Sequence, residues 1–295
     1  MRLLSAFGTP KLKPVAMPLF PALVVHPPRN GFPVLLSVPH SGRDYDEAVL
    51  ANCAQGRRTL ETLEDPLVDR LAWRAIAAGF GAVIQPVPRA VIDCNRDEEE
   101  VDPAAILGIS PAPVGPRARH GLGLVPSRTH RHGRLWRQPI SRGELNRRIE
   151  EVHRPYHDEL DRGLNALADV HGEALLIDCH SMPARSHGQA QIVIGDRHGT
   201  SSAGWISADA ARLARASGFR VELNDPYAGG AIASRHGRPH KGIHAIQLEI
   251  DRATYLEPDG RTPGTGFDRL ACFIEMLATE LGQAMLDRAV AAAAE

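Results

Sequence analysis

Short apolar runs alternate with segments of helical period along this chain, and that alternation limits its fold more than any other feature. The runs PVLLSVPH (33–40), GAVIQPV (81–87), EALLIDCHS (173–181), AQIVIGD (190–196), FRVELN (219–224) and IHAIQLEI (243–250) have the length and composition of strands. Between and after them, 65–80, 141–169, 203–217 and 266–293 carry apolar residues at helical spacing. Ser141 followed by Glu144 makes a capping box for the second of these, and Pro155 predicts an end or a kink within it. Strands that alternate with helices pair in a sheet covered on both faces. The expected class is therefore α/β, with three layers around a mixed, mostly parallel sheet. A chain of 295 residues buries enough apolar surface for one large core. With no repeat and no composition break, the expectation is a single domain over 31–295. Residues 1–30 read as a loosely ordered leader, because Pro10, Pro14 and Pro18 interrupt any apolar stretch of signal-peptide length.

Charge and composition exclude several roles. The formal net charge of -1 has no clustered basic face behind it, so no nucleic-acid partner is expected. No apolar run reaches the roughly 20 residues that cross a bilayer, so no membrane partner is expected either. Cys53, Cys94, Cys179 and Cys272 form no C-x-x-C pair and read as reduced, buried thiols of a cytoplasmic protein. Residues 102–134 are rich in Pro, Gly and Arg without a period, which is the signature of a functional or disordered loop. The sequence leaves the oligomeric state open.

In an α/β sheet the reactive groups gather at the carboxyl ends of strands. Three predicted strands end in such groups: Val38-Pro39-His40-Ser41-Gly42, Ile177-Asp178-Cys179-His180-Ser181 and Gln247-Leu248-Glu249-Ile250-Asp251. A lone polar residue at a strand end is ordinarily a satisfied core group, but three such ends in one α/β pattern point to a site. A hydrolytic zinc takes three protein ligands and leaves a fourth position open, and two histidines with one carboxylate are a standard set. His40 and His180 each follow an apolar strand. For the carboxylate, Asp65 and Glu64 are both candidates, although acidic residues at a helix start have an electrostatic reason of their own to be there. Asp178 shares a strand face with His180 and suits an acceptor role toward its imidazole. Glu249, on an apolar strand, is the candidate general base; its ordinary role would be an ion pair with Arg252 or Arg96. Arg89, Asp93, Asn95 and Arg96 alternate with apolar residues in a strand-like stretch, and arginine grips carboxylates bidentately. Tyr227, in the turn-forming NDPYAGG (224–230), is either a pocket residue or a packed loop aromatic.

Taken in order, VPHSG (38–42), LEDPLVD (63–69), PRAVIDCNR (88–96), LIDCHSMP (176–183), IVIGDRHGT (192–200), NDPYAGG (224–230) and HAIQLEIDR (244–252) resemble the N-formylglutamate amidohydrolase family. The resemblance covers most of 33–255. It implies a fold like that of the zinc carboxypeptidases and aspartoacylases, and hydrolysis of N-formyl-L-glutamate to formate and L-glutamate within histidine breakdown. By the same resemblance His40 and His180 match the metal histidines and Glu249 the catalytic glutamate. Asn95 and Arg96 match an Asn-Arg pair that holds the substrate α-carboxylate, with Arg89 for the second carboxylate or the carbonyl. Carboxypeptidases place a glutamate three residues after the first histidine, whereas Arg43 stands there in this chain, so Glu64 or Asp65 must supply the carboxylate. Zinc is the expected cofactor, and other divalent metals suit the same donors. The alternatives are a zinc deacylase or carboxypeptidase-like enzyme for another acidic N-acyl amino acid or short peptide, and a non-catalytic carboxylate-binding protein.

Overall fold

The computed structural model describes residues 20–109 and 115–293. Its centre is a seven-stranded sheet. Seven of the nine strands among the described residues build it: β1 (Val24–His26), β2 (Val34–Val38), β3 (Gly81–Ile84), β6 (Ala174–Met182), β7 (Ile192–Gly195), β8 (Val221–Leu223) and β9 (Ile243–Asp251). The remaining two, β4 (Arg128–Thr129) and β5 (Gly133–Arg134), form a separate small ribbon. The order across the sheet is β1-β3-β2-β6-β9-β7-β8. β3, β2, β6 and β9 run parallel, as do β7 and β8, while β1 against β3 and β7 against β9 are antiparallel. The mixed, mostly parallel α/β architecture expected from the alternation is what forms.

Because side chains alternate between faces along a strand, each central strand feeds two cores. Val34, Leu36 and Val38 of β2, with Leu175, Ile177 and Cys179 of β6 and Ile246, Leu248 and Ile250 of β9, pack on helices Gly204–Ala216 and Phe267–Ala293. Leu35, Leu176 and Ala245 point the other way, onto Tyr156, Leu160 and Leu164 of helix Arg154–His171. That second face matters for function. The polar residues in its phase, Ser37, Asp178, His180, Gln247 and Glu249, emerge beside one another. β6 and β9 pair with Asp178 opposite Gln247 and His180 opposite Glu249, and β2 sets Ser37 opposite Asp178.

Several local expectations are corrected. The helix read over 65–80 is two short pieces, Val68–Leu71 and Trp73–Ala77, because the Asp65 backbone N–H bonds to the His40 carbonyl (2.9 Å) and Leu67 takes a left-handed conformation (φ 61°). The strand-like stretch at 88–100 is a series of turns: Asp93 Oδ1 accepts the Asn95 backbone N–H at 2.8 Å, a side-chain bond that competes with strand pairing. Part of the segment read as leader, Val24–His26, is an edge strand on β3. Cys272 is exposed, while the other three cysteines are buried and all four are free thiols. The 141–169 helix is interrupted as Pro155 predicts. Helix Arg142–Arg148 passes through a π-helical turn, Ile149–His153, into Arg154–His171, and Pro155 occupies its first turn, where an N–H is not needed. Among its described residues, the irregular 102–134 segment holds the turn of helix Pro116–Arg119 and the β4–β5 ribbon, and buries Leu124 and Val125 in the second core.

Candidate metal and active site

His40 follows the carboxyl end of β2 and His180 lies near the end of β6, and the loop after residue 60 brings Asp65 between them. His40 Nδ1 lies 3.3 Å and His180 Nδ1 3.1 Å from Asp65 Oδ2. All three residues are buried, and their ligand atoms lie within 4.8 Å of one another. The opposite ring nitrogens are fixed by further carboxylates, since His40 Nε2 donates to Asp93 Oδ1 (2.7 Å) and His180 Nε2 to Asp178 Oδ2 (2.8 Å). A carboxylate only accepts, so each Nε2 carries a proton, and with a metal bound each Nδ1 would present its lone pair to the ion beside Asp65. Three acceptors converging on one buried point call for a positive charge, and this donor set fits a divalent metal. The same demand appears in His180, which is held well above its usual range. Burial pushes it down, but Asp178 and Asp65 outweigh burial.

Asp65 is oriented for that position. Arg252 Nη2 donates to its Oδ1 at 3.1 Å, which leaves Oδ2 for the histidines. Burial pushes the Asp65 carboxyl up, yet the bonds and charges of His180 and His40 hold it well below the usual carboxylate range. Glu64 faces elsewhere: Tyr45 Oη donates to its Oε1 (2.7 Å) and Arg261 Nη1 to its Oε2 (2.5 Å). Of the two carboxylates left open by the sequence, geometry brings Asp65 alone to the histidines. Arg43, at the position where carboxypeptidases carry glutamate, is engaged with Asp69 (2.7 Å).

Glu249 faces the same cavity from β9. Gln247 Nε2 donates to its Oε1 at 2.9 Å, and burial raises its carboxyl to about 7, with His180 pulling it down and Asp65 pushing it up. The ion pairs anticipated for it go to other groups. Arg252 serves Ser181 and Asp65, and Arg96 donates to the carbonyls of Leu122 (2.7 Å) and Asn95 (2.6 Å). Arg89 donates through Nε to Asp93 Oδ2 at 2.8 Å and keeps the rest of its guanidinium for the cavity. Burial brings Arg96 down to about 10, still charged at neutral pH. Asn95 Oδ1 accepts the Ile232 N–H (3.0 Å) and its Nδ2 donates to Gln247 Oε1 (3.3 Å). The last glycine of NDPYAGG is required here, because a Cβ on Gly230 would fall 2.1 Å from Asn95 Oδ1. Tyr227 lines the cavity with 36% of its surface exposed, so it is a rim residue rather than a packed loop aromatic.

These groups surround a cavity of about 530 Å³ lined by His40, Asp65, His180, Arg89, Asn95, Arg96, Tyr227 and Glu249. Of the residues singled out in the sequence, these eight line one space, whereas Glu64, Asp93 and Asp178 are not among its lining residues. Two contributors were not assigned a role from sequence. Asp93 orients His40 and Arg89 together, and only its place among Arg89, Asn95 and Arg96 hinted at it. Gln247 links Glu249, Asn95 and the Gly230 N–H (2.9 Å), and its position two residues before Glu249 was the available signal.

Comparison with known proteins meets this geometry. The family model for N-formylglutamate amidohydrolase matches residues 32–256, from β2 through β9. The chain belongs to the N-formylglutamate amidohydrolase family. Among relatives of this amidohydrolase, the N-formylglutamate deformylase of Pseudomonas putida is 32% identical over 271 residues, covering 86% of this chain and 92% of the relative. The N-formylglutamate deformylase of Pseudomonas aeruginosa is 31% identical over 243 residues, covering 78% and 84%. The crystal structure of N-formylglutamate amidohydrolase from Ralstonia eutropha JMP134 superposes with a TM-score of 0.81 at 28% identity, covering 89% of this chain and 98% of that one. No helix among the described residues is long and apolar enough to cross a membrane.

Proposed function

We propose that this amidohydrolase cleaves N-formyl-L-glutamate to formate and L-glutamate with a divalent metal, zinc in the first instance. The observation that carries the reading is Glu249, a buried carboxyl raised to about 7, facing the same cavity as the His40–Asp65–His180 group. The deformylase relatives supply the substrate, and the cavity supplies what a small dianion needs. Arg96 and Asn95 anchor one carboxylate, Arg89 meets the other carboxylate or the formyl oxygen, and Tyr227 closes the rim.

His40, Asp65 and His180 would hold the metal, which when bound would supply Lewis acidity to the formyl oxygen and to the attacking water. The chain does the rest. Glu249 takes a proton from the attacking water as the water oxygen joins the formyl carbon. Arg89 lies on the wall to meet the oxygen that gains charge. Glu249 then returns the proton to the amide nitrogen as the C–N bond breaks, leaving formate and the amine. Asp93 and Asp178 keep both imidazoles turned with Nδ1 inward throughout. His180, Gln247 and Arg89 stand beside Glu249, and polar neighbours of this kind favour a small acyl group over a long apolar one. We place the reaction in the cytoplasm, a compartment that suits four free thiols.

Formate release from N-formyl-L-glutamate by purified protein tests the reading. Turnover that a chelator abolishes and zinc restores supports it. A metal-loaded protein that leaves N-formyl-L-glutamate intact rejects this substrate.

The assignment of the carboxylate ligand has its own test. Asp65→Asn is expected to lose bound metal and turnover together. Glu64→Gln is expected to keep both and to lower thermal stability by about 1–3 kcal/mol, the cost of a buried hydrogen-bonded charge losing its pair with Arg261. Metal content by mass spectrometry and a melting curve separate the two variants, and metal loss in Glu64→Gln would reverse the assignment.

A further inference from the structure

A second cavity, of about 550 Å³, adjoins the catalytic one; Arg117 and Gly230 line both. Its basic wall is Arg117, Arg197 and Arg235. Some arginines of this protein are paired, among them Arg43 with Asp69, Arg154 with Glu98 and Arg252 with Asp65. The guanidinium groups of Arg197 and Arg235 make no hydrogen bond or ion pair among the described residues. The two carboxylates on the same wall are drawn into their own turn: Asp97 Oδ1 accepts the Glu99 N–H (2.9 Å) and Glu100 Oε1 the Asp97 N–H (3.1 Å).

Arg197 is placed rather than loose. Its backbone N–H bonds to the Ala228 carbonyl (2.7 Å), its φ is 54°, and its stem lies over Gly229, where a Cβ would come within 2.9 Å of Arg197 Cγ. Arg235 stands on helix Ala231–His236, which is held by the buried His236 against Asp161 (3.2 Å). In the proposed reading Arg96 with Asn95 takes one carboxylate of N-formylglutamate and Arg89 the other carboxylate or the formyl oxygen, without calling on Arg197 or Arg235. Two unpartnered guanidiniums beyond Arg117 are then in excess of what that substrate uses, and planar forks of this kind recognise carboxylates.

We infer that the enzyme also accepts N-formylglutamyl compounds lengthened by a second acidic residue, whose added carboxylates lie past Arg117 against Arg197 and Arg235. This rests on the reading of the site as a deformylase. The chemistry at the formyl carbon is unchanged: water oxygen joins that carbon, its C–N bond breaks, and the nitrogen takes the proton. The added residue changes only what holds the rest of the molecule.

The test compares N-formyl-L-glutamate with N-formyl-L-glutamyl-L-glutamate, linked through the α- or the γ-carboxyl, in the metal-loaded wild type and in the double variant Arg197→Gln/Arg235→Gln. The lengthened substrate is expected to be deformylated by the wild type. In the double variant its kcat/KM is expected to fall about tenfold while that for N-formyl-L-glutamate moves by less than about twofold. Equal change for both substrates, or no deformylation of either lengthened compound by an enzyme that turns over N-formyl-L-glutamate, overturns the inference. Calorimetric binding of N-acetyl-L-glutamyl-L-glutamate to the same two proteins decides the question independently of turnover. Weaker binding in the double variant supports the subsite even if N-formyl-L-glutamate itself proves not to be a substrate, and equal binding removes it.

Discussion

Glu249→Gln lowers kcat for N-formyl-L-glutamate by about 10²–10⁴-fold, the range contributed by a placed general acid-base group, while bound metal and KM stay close to wild type. Glutamine has nearly the same shape and can still bond to Gln247, so the β9 backbone and the cavity survive, but it cannot take a proton from water. The pH profile gives a second readout. Burial raises the Glu249 carboxyl to about 7, so in the acidic direction it becomes protonated and can no longer act as a base. Activity should therefore fall as pH drops through that range, and a nearby dication, which favours the carboxylate, moves the acid limb to lower pH. In Glu249→Gln the residual activity should lack this limb. Steady-state kinetics from pH 5 to 9 with metal analysis of each preparation check the claim, and wild-type turnover in the variant would remove Glu249 from the reaction.

His180→Ala is expected to lose most of its bound metal and about 10³-fold or more in turnover, since Lewis acidity in such a site is worth several kcal/mol. His180 Nδ1 is one of three convergent donors, and the remaining pair, His40 and Asp65, leaves the set one short. The variant also strands Asp178, which is fully buried and would retain only the hydroxyl of Ser37 (2.6 Å) as partner. Some loss of thermal stability should accompany the loss of metal. Far-UV circular dichroism guards against reading unfolding as metal loss, and full metal occupancy in folded His180→Ala would take this residue out of the ligand set.

How much of this was readable beforehand depended on the range of the interaction. His40, His180 and Glu249 stand out because a strand that carries ionisable groups at its carboxyl end breaks the apolar pattern locally, within a few residues. Asp178 followed from the same short-range logic, since residues two apart share a strand face. Asp93 was visible only as one member of a polar cluster. Its partner His40 is 53 residues away, and no local period links a turn to a strand across that distance. The turns at 88–100 look like a strand in sequence because polar and apolar residues alternate there. The outcome is set by Asp93 bonding its own backbone while reaching His40 and Arg89. The helix expected over 65–80 yields in the same way, as its first residues are used to bring Asp65 to the histidines.

The sequence by itself determined the α/β class and singled out the strand ends at which His40, His180 and Glu249 stand as site candidates, because strand and helix periods are local properties of the chain. It also carried the motif order that belongs to the N-formylglutamate amidohydrolase family. Only the tertiary structure distinguishes the surroundings of Asp65 and Glu64. The two are adjacent in sequence and chemically alike, but one side chain faces His40 and His180 and the other faces Tyr45 and Arg261. It likewise decided that Arg252 serves Asp65 rather than Glu249, and that Arg197 and Arg235 stand beside the catalytic cavity without hydrogen-bond or ion-pair partners among the described residues. Which charge meets which depends on distances between segments far apart along the chain, and only the packed sheet and its loops set those distances.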